Sequence, residues 1–368
     1  MRIGFDAKRA FNNATGLGNY SRFVLSALQQ YAPQHHYTAY LPRLEGDLFD
    51  FPNVQTSKLP RIFQAWWRSH GMEVNLRRDN IQLYHGLSNE IPSALAASNI
   101  RSVVTIHDLI FLRYPQLYTA IDRRIYLKKS ARACRFSDCI VAVSEQTKRD
   151  IVTAFGTNPE KIKVVYQDAN AIYQQPISAT KSEEIKAKYQ LQNPYLLTVG
   201  SIEVRKNQSR LISAFQAANL PDAELIVVGG WSKYQATLEA QIKQNNKIPI
   251  RILNNVPSDD LPALYQNARA FAYPSVFEGF GIPIVEALHS RIPILAASGS
   301  CLEEAGGGGA IYANPFKIDD ITEKLREIWT NETLQKELVK NGSQHVKQFA
   351  APHIAKQLVE IYEKLIAL

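Results

Sequence analysis

The chain has 368 residues, of which 45% are hydrophobic and 21% charged. That is room for two ordinary domains with real cores and excludes a disordered or fibrous chain. The formal net charge is +8, carried by the first half: residues 1–172 hold 22 Lys and Arg against 14 Asp and Glu, and residues 173–368 hold 20 of each.

A first half of this charge suits an anionic partner, such as a membrane surface, a lipid pyrophosphate or nucleic acid, or it serves solubility alone. Cys134, Cys139 and Cys301 have neither zinc-ligand nor disulfide-framework spacing, so they read as reduced thiols of a cytosolic protein. Met1 to Asp6 enters directly on an apolar strand pattern, read as lacking a signal peptide. No apolar run reaches the length of a membrane span.

Ile3-Gly4-Phe5-Asp6 is a buried-strand pattern. A small-residue loop follows, ending Thr15-Gly16-Leu17-Gly18-Asn19-Tyr20. A helix pattern then runs from Ser21 to about Tyr31, with Phe23, Leu25, Ala27 and Leu28 on its apolar face. Strand, glycine loop and helix is an arrangement in which backbone N–H groups receive phosphate. Gly16-Leu17-Gly18 lacks the full dinucleotide fingerprint, so its signal alone is weak.

Residues 36–42 read as another strand. Residues 60–78 mix Phe63, Trp66, Trp67, Met72, Val74 and Leu76 with Arg61, Arg68, Arg77 and Arg78. Such a segment rests on a membrane interface or packs its tryptophans into the core, and the second reading is favoured. Val103 to Ile106 is a strand ending at His107-Asp108. The carboxyl end of a parallel strand is where open α/β sheets hold ligands. Asp108 is read as orienting His107 or the local backbone.

Residues 113–135 form the strongest basic cluster, with Arg113, Arg123, Arg124, Lys128, Lys129, Arg132 and Arg135 among Tyr114, Tyr118 and Tyr126. They face an acidic acceptor or bilayer, or are the solvated face of a long helix. Asp138 to Ser144 is a strand, and Ser144-Glu145 opens a helix in capping style. Lys163 to Tyr166 is the last strand of this half.

Residues 168–193 lack long apolar runs and read as a joint. Tyr195 to Gly200 starts a second α/β unit and leads into Ser201-Ile202-Glu203-Val204-Arg205-Lys206-Asn207. Two adjacent cations past a strand suit a diphosphate, Arg as a planar fork and Lys as a point charge. Glu224 to Gly230 and Arg251 to Val256 are further strands, 259–268 a helix, and Ala270 to Tyr273 a strand.

That strand enters the most informative stretch, Tyr273 to Ser290 (YPSVFEGFGIPIVEALHS). Glu278 sits in a loop flanked by Gly279 and Gly281, and Glu286 about one turn into the helix that follows. Pro283 suits a first helical turn, where its missing N–H costs nothing. The first N–H groups of a helix attract a phosphate, and carboxylates accept from hydroxyls. A sugar nucleotide offers both. The Gly306–Gly309 run is a mobile turn or a plain loop, the loop being preferred. Ile318 to the C-terminus reads as amphipathic helices.

The whole string resembles the signature of the retaining glycosyltransferases of the GT-B fold, family 4 (group 1). The resemblance covers nearly the whole chain: the glycine loop, His107, Arg205-Lys206 and Glu278 with Glu286 come in family order. It implies an α/β fold of two doubly wound Rossmann-like domains facing a central cleft. Residues 1–172 would be the acceptor side and 190–350 the nucleotide-sugar donor side, with a helix at 354–368 packing back on the first.

The resemblance sets His107 beside the donor sugar and gives Arg205 and Lys206 the departing nucleotide. Glu278 would hold donor-sugar hydroxyls and Glu286 ribose hydroxyls. Gly16, Leu17 and Gly18 would lie beside the diphosphate, with Gly279, Phe280, Gly281 and Ile282 in the same donor site. Val256, with Pro257, would line the base pocket. No protein nucleophile is implied; the departing phosphate deprotonates the acceptor on the same face.

No Asp-x-Asp triplet occurs, so no metal and no other cofactor are expected. The expected reaction is hexose transfer from a GDP-mannose or UDP-glucose type of donor to a glycan or lipid-linked acceptor. It would serve cell-surface polysaccharide (lipopolysaccharide) synthesis. The expected location is cytoplasmic, peripheral on the inner face of the membrane. Two rivals are a sugar-nucleotide epimerase or hydrolase of the same shape, and a basic nucleic-acid-binding protein. No recognition motif supports the latter.

Overall fold

The computed structural model describes all residues except 58, 94, 96, 97 and 245–247. The chain divides into two compact units, Met1–Asp168 with Phe349–Leu368, and Ala169–Gln348.

The first unit holds a seven-stranded sheet. Its strands are β1 (Arg2–Asp6), β2 (His36–Leu41), β3 (Val54–Thr56), β4 (Leu83–Gly86), β5 (Arg101–Ile106), β6 (Cys139–Ala142) and β7 (Ile162–Val164), in the order β3-β2-β1-β4-β5-β6-β7. The second holds six strands, β8 (Tyr195–Val199), β9 (Glu224–Val228), β10 (Ile250–Leu253), β11 (Ala270–Tyr273), β12 (Ile294–Ala297) and β13 (Ala310–Ala313), in the order β10-β9-β8-β11-β12-β13. Every pairing is parallel. Parallel strands are covered on both faces, so Cys139–Ala142 and Glu224–Val228 are buried throughout. In each sheet the order reverses once, between β1 and β4 and between β8 and β11. Such switch points leave a crevice at the carboxyl ends of the strands.

The C-terminal helix Ala351–Ile366 packs along the helix Gly16–Tyr31 in the first unit. Its buried Tyr362 hydrogen-bonds His85 Nδ1 at 2.6 Å, and His85 Nε2 meets Thr105 Oγ1 at 2.9 Å. Thr105 in turn meets the Tyr20 hydroxyl at 2.9 Å. Burial pushes His85 down to about 3, so this relay is neutral.

Three details differ from the sequence reading. The helix expected from Ser21 already begins at Gly16. The glycines are therefore its first turn, and a Cβ on Gly18 would stand 1.8 Å from the Asn13 carbonyl oxygen. The stretch read as a joint contains a turn, Ala171–Gln174, and a helix, Ala179–Lys188, capped by Ser178 and belonging to the second unit. That helix buries only Ile185, so it shows no apolar period. The two tryptophans part company: Trp67 is 5% exposed beside Met72 and Leu76, whereas Trp66 is 56% exposed.

The four-glycine run ends the helix Leu302–Gly306 and turns through Gly307–Gly309 onto the helix Glu332–His345. A Cβ on Gly309 would lie 2.5 Å from Gly342 Cα and 2.6 Å from Leu288 Cδ2. Leu288 belongs to the helix that carries Glu286, so the run lets two backbones close under that helix. Gly309→Ala is expected to destabilise the protein by about 1–3 kcal/mol through overpacking. A lowered urea midpoint checks this; an unchanged one counts against it.

Candidate functional site

The second unit gathers its chemistry at the β8/β11 switch point. β8 runs into the turn Val204–Lys206, and Asn207, at φ 63°, starts the helix Gln208–Ala218. Asn tolerates this left-handed conformation. Its amide donates to the carbonyls of Pro274 (3.1 Å) and Pro315 (2.7 Å). The Val276 N–H donates to the Arg205 carbonyl at 2.9 Å. The loops after β8 and β11 are thus tied together, and Arg205 and Lys206 meet Glu278.

Lys206 Nζ lies 2.6 Å from Glu278 Oε1 and donates to the Tyr273 hydroxyl at 2.6 Å. Arg205 Nη1 lies 2.7 Å from Glu278 Oε2 and donates to the Phe277 carbonyl at 2.6 Å; its Nη2 reaches Glu203 at 2.6 Å. Ser275 and Tyr273 hydroxyls add bonds to Glu278 Oε1 at 2.6 and 3.0 Å. All three charged side chains are only 11–12% exposed. Burial alone would raise the Glu278 carboxyl. The charges of Lys206 and Arg205 outweigh it and hold the group near about 2. The result is a preorganised cluster in which two cations are held by their own carboxylates, Glu278 and Glu203.

Behind this loop Gly281 adopts φ +115°, where a Cβ would meet Leu302 Cδ2 at 2.7 Å. Ile282–His289 then forms the helix, with Pro283 in its first turn. Gly279 is half-buried and Phe280 buried in the connecting turn. Cys301 Sγ donates to the Glu278 carbonyl at 3.2 Å. Glu286 is half-buried on the helix and accepts from the Tyr265 hydroxyl at 2.8 Å, with the Tyr173 hydroxyl close enough to favour its ionised form. Burial raises its carboxyl to about 7 despite these two hydroxyls. Val256, half-buried, follows β10, the edge strand two places from β8. It shares the carboxyl edge but makes no described contact with Arg205, Lys206 or Glu278.

In the first unit the glycine turn and His107 come together through one side chain. Tyr20, two residues beyond Gly18, sets its ring edge-on to His107, with centroids 4.6 Å apart at 88°. His107 Nε2 lies 2.8 Å from the Leu87 carbonyl oxygen. A carbonyl only accepts, so Nε2 carries the proton and Nδ1 is an acceptor. Burial holds the ring neutral, down to about 4. Asp108 accepts from the Ile110 N–H at 3.0 Å, the backbone-orienting role read from the sequence. The Gly18 N–H is committed to the Thr15 carbonyl at 2.9 Å, whereas Gly16 is exposed and Leu17 half-buried.

Sequence reasoning missed Tyr173, Tyr265 and Tyr273. Tyr273 ends β11 and opens the motif, a position that offered a signal. Tyr173 and Tyr265 offered none, since each meets Glu286 only through the fold. Arg9 was missed as well: its charge reaches His107, and its buried Nε has no hydrogen-bond partner.

Comparisons with known proteins place both halves of the chain in known family models. Residues 181–345 match the family model described as "Glycosyl transferases group 1", and residues 16–167 match "Glycosyltransferase Family 4". The chain is 28% identical over 289 residues to O-antigen chain mannosyltransferase B of Escherichia coli, covering 77% of this chain and 74% of that one. It is 27% identical to O-antigen chain mannosyltransferase RfbU of Salmonella typhimurium, covering 83% and 85%.

Among solved structures, sucrose-phosphate synthase from Thermosynechococcus elongatus superposes with a TM-score of 0.81 at 18% identity, covering 100% of this chain and 99% of that chain. HepE of Anabaena, solved with UDP and glucose, superposes at 0.76 and 19% identity, covering 99% and 100%. The fold these neighbours share with the chain is GT-B.

Proposed function

We infer that this chain, which belongs to the group 1, family 4 glycosyltransferases, moves a hexose from a nucleoside-diphosphate sugar to a glycan or lipid-linked acceptor with retention of configuration. The observation that carries this reading is the buried Arg205–Lys206–Glu278 cluster at the switch point. Mannose from GDP-mannose is the favoured donor sugar, because the relatives at 28% and 27% identity are mannosyltransferases of O-antigen chains. UDP-glucose is the second choice, since HepE has been solved with it. The product would be a cell-surface polysaccharide.

In this mechanism the C1–O bond to the diphosphate breaks. Positive charge then develops on the sugar ring and negative charge on the leaving phosphate. Preorganised cations lower that barrier most when they are buried and fixed. Lys206 spends two N–H groups on Tyr273 and Glu278, leaving a third for a phosphate oxygen. Arg205 supports it, with the Gly279–Ile282 turn lining the same ligand. Glu278 accepts from the donor sugar, Glu286 from the ribose, and His107 Nδ1 from a sugar hydroxyl. Val256 borders the base. The departing phosphate takes the acceptor proton on the face it leaves, so no protein nucleophile is needed.

Cations of the protein neutralise the diphosphate, so we take the reaction to need no metal or other cofactor. Unchanged activity in excess EDTA is expected; loss restored by magnesium would contradict this. The function itself is tested by incubating the enzyme with GDP-mannose or UDP-glucose and a lipid-linked glycan acceptor. Hexosylated acceptor with equimolar nucleoside diphosphate supports it. Free nucleotide without product favours a hydrolase, and a new nucleotide sugar an epimerase.

The chain would work as a cytoplasmic protein peripheral on the inner membrane face, docking by its first unit; among the described residues no helix is long and apolar enough to cross a membrane. The helix Ala120–Phe136 exposes Ile121 (73%), Ile125 and Leu127 among Arg123, Arg124 and Lys128, and Ile62 (82%), Phe63 and Trp66 are exposed beside the exposed Arg61. Glu90 pairs with both Arg68 and Lys129, which ties these two segments together. Apolar contact plus attraction to anionic lipid supports such binding. Co-sedimentation with phosphatidylglycerol vesicles, weakened by salt and by Arg123→Glu with Arg124→Glu, is expected. Equal recovery without vesicles would refute it.

A further inference from the structure

We propose that Tyr265 and Tyr173 are positioning residues for a vicinal diol on the ligand: their hydroxyls converge on the Glu286 carboxylate, fix its direction and leave acceptor sites open for two adjacent hydroxyls. The proposal rests on the reading that Glu286 faces the ribose, and it adds what aims that carboxylate.

The two acids of the motif are held in opposite ways. Glu278 is paired with two cations, Arg205 and Lys206, and also accepts from Ser275 and Tyr273. Glu286 has no described lysine or arginine partner. It accepts from Tyr265 at Oε2, 2.8 Å away, and the Tyr173 hydroxyl stands close enough to favour its ionised form. An ionised carboxylate has about four lone-pair sites. Even with both phenols engaged two remain, the number a cis-diol requires. Phenols suit this task because they donate without neutralising the charge, so the open oxygen sites remain those of an anion.

Both phenols are rigidly set. Tyr173 and Tyr265 are buried and pack edge to face, with centroids 5.5 Å apart at 90°. Tyr265 continues to Phe271 at 5.1 Å, and Phe271 stacks on Tyr273 at 6.0 Å. Tyr273 bonds Glu278 and Lys206. One aromatic row therefore fixes the spacing between the diol-reading acid and the cationic pocket. Burial pushes the phenols of Tyr173 and Tyr265 far above their ordinary 10, so they stay donors.

The arrangement has a pH signature. The titratable groups facing Glu286 are Tyr173, Tyr265 and Tyr273. Burial brings the Glu286 carboxyl to about 7, and bonds from Tyr265 and Tyr173 pull it back toward the ionised form. Diol binding needs the ionised form, so it strengthens as pH rises through about 7. Removing a phenol moves that rise to higher pH.

The test titrates GDP and UDP, each against its 2′-deoxy counterpart, into the full-length wild type and into Tyr265→Phe, Tyr173→Phe and Glu286→Gln, at several pH values either side of neutrality. The wild type should prefer the ribonucleotide, increasingly so above neutral pH. Each phenylalanine variant should lose about tenfold of that preference, as for a hydrogen bond to a charged group, and its rise should lie at higher pH. Glu286→Gln should show no preference at any pH. Phenylalanine variants with the wild-type preference and pH profile, while Glu286→Gln loses both, would overturn the proposal and leave the parent reading standing. A Glu286→Gln protein that keeps the preference would overturn both. If Tyr265→Phe fails to fold, Tyr173→Phe decides the matter alone.

Discussion

Lys206→Ala is expected to lower kcat/KM by about a thousandfold or more while the protein stays folded. Removing a single preorganised donor of this kind typically costs two to three powers of ten. Lys206 also brings a full charge to the leaving group, so the upper end is expected. Folding survives because Glu278 keeps Arg205, Ser275 and Tyr273 as partners. Lys206→Arg should recover little. A planar fork cannot replace a point charge that divides its three N–H groups among a phenol, a carboxylate and a phosphate. Steady-state kinetics with a matched thermal melt check both halves. Wild-type turnover in the alanine variant would remove Lys206 from the mechanism.

Glu278→Ala should behave differently, losing transfer and stability together. Its carboxylate is the one counter-ion shared by Arg205 and Lys206, and all three are buried. Without it two like charges face each other with little water between them. Breaking a buried pair by removing one partner costs about 3–5 kcal/mol. The pH dependence offers an independent check. The Glu278 carboxyl lies lowered from its ordinary 4.5 to about 2 in the fold. Its contribution to stability is therefore full above 4.5 and is lost as pH falls toward about 2. Urea titrations should show the wild type converging on the variant through that window. A variant as stable as the wild type near neutral pH would contradict the picture of a buried, mutually dependent triad.

The legible part of this molecule is the part that local physics dictates. Parallel strands buried on both faces produce runs such as CIVA and ELIVV, so both sheets could be anticipated in outline. The loop glycines and the paired acids stood out because Gly281 adopts a positive φ, and Glu286 follows Glu278 across that glycine turn by about one turn of helix. The phenols of Tyr173 and Tyr265 were not legible. Nothing in QDANAIYQQ or DDLPALYQN distinguishes a tyrosine that serves a carboxylate from one that fills a core.

Helix starts were unreliable for the same reason. Gly16 to Tyr20 looks like a loop by composition, yet Thr15 accepts the first helical bonds and Gly18 is needed only because Asn13 lies against it. The helix Ala179–Lys188 went unseen because a single buried residue cannot make a period. Trp66 and Trp67 are adjacent and on a helical segment, so they point different ways and cannot share a fate. In each case the missing information is the identity of the packing partner, which lies far away in the chain.

The central claim is that the Arg205–Lys206–Glu278 pocket binds the diphosphate of a sugar nucleotide. It is tested most directly by thermal shift of the wild type and Lys206→Ala with GDP-mannose, UDP-glucose, the matching nucleoside diphosphates and the bare nucleosides. A ligand that binds only the folded state raises the melting temperature with its concentration. The wild type should be stabilised by at least one nucleotide sugar and its diphosphate, weakly by the nucleoside, and the variant by none of the diphosphates. Equal stabilisation of both proteins, or a nucleoside as effective as its diphosphate, would contradict it.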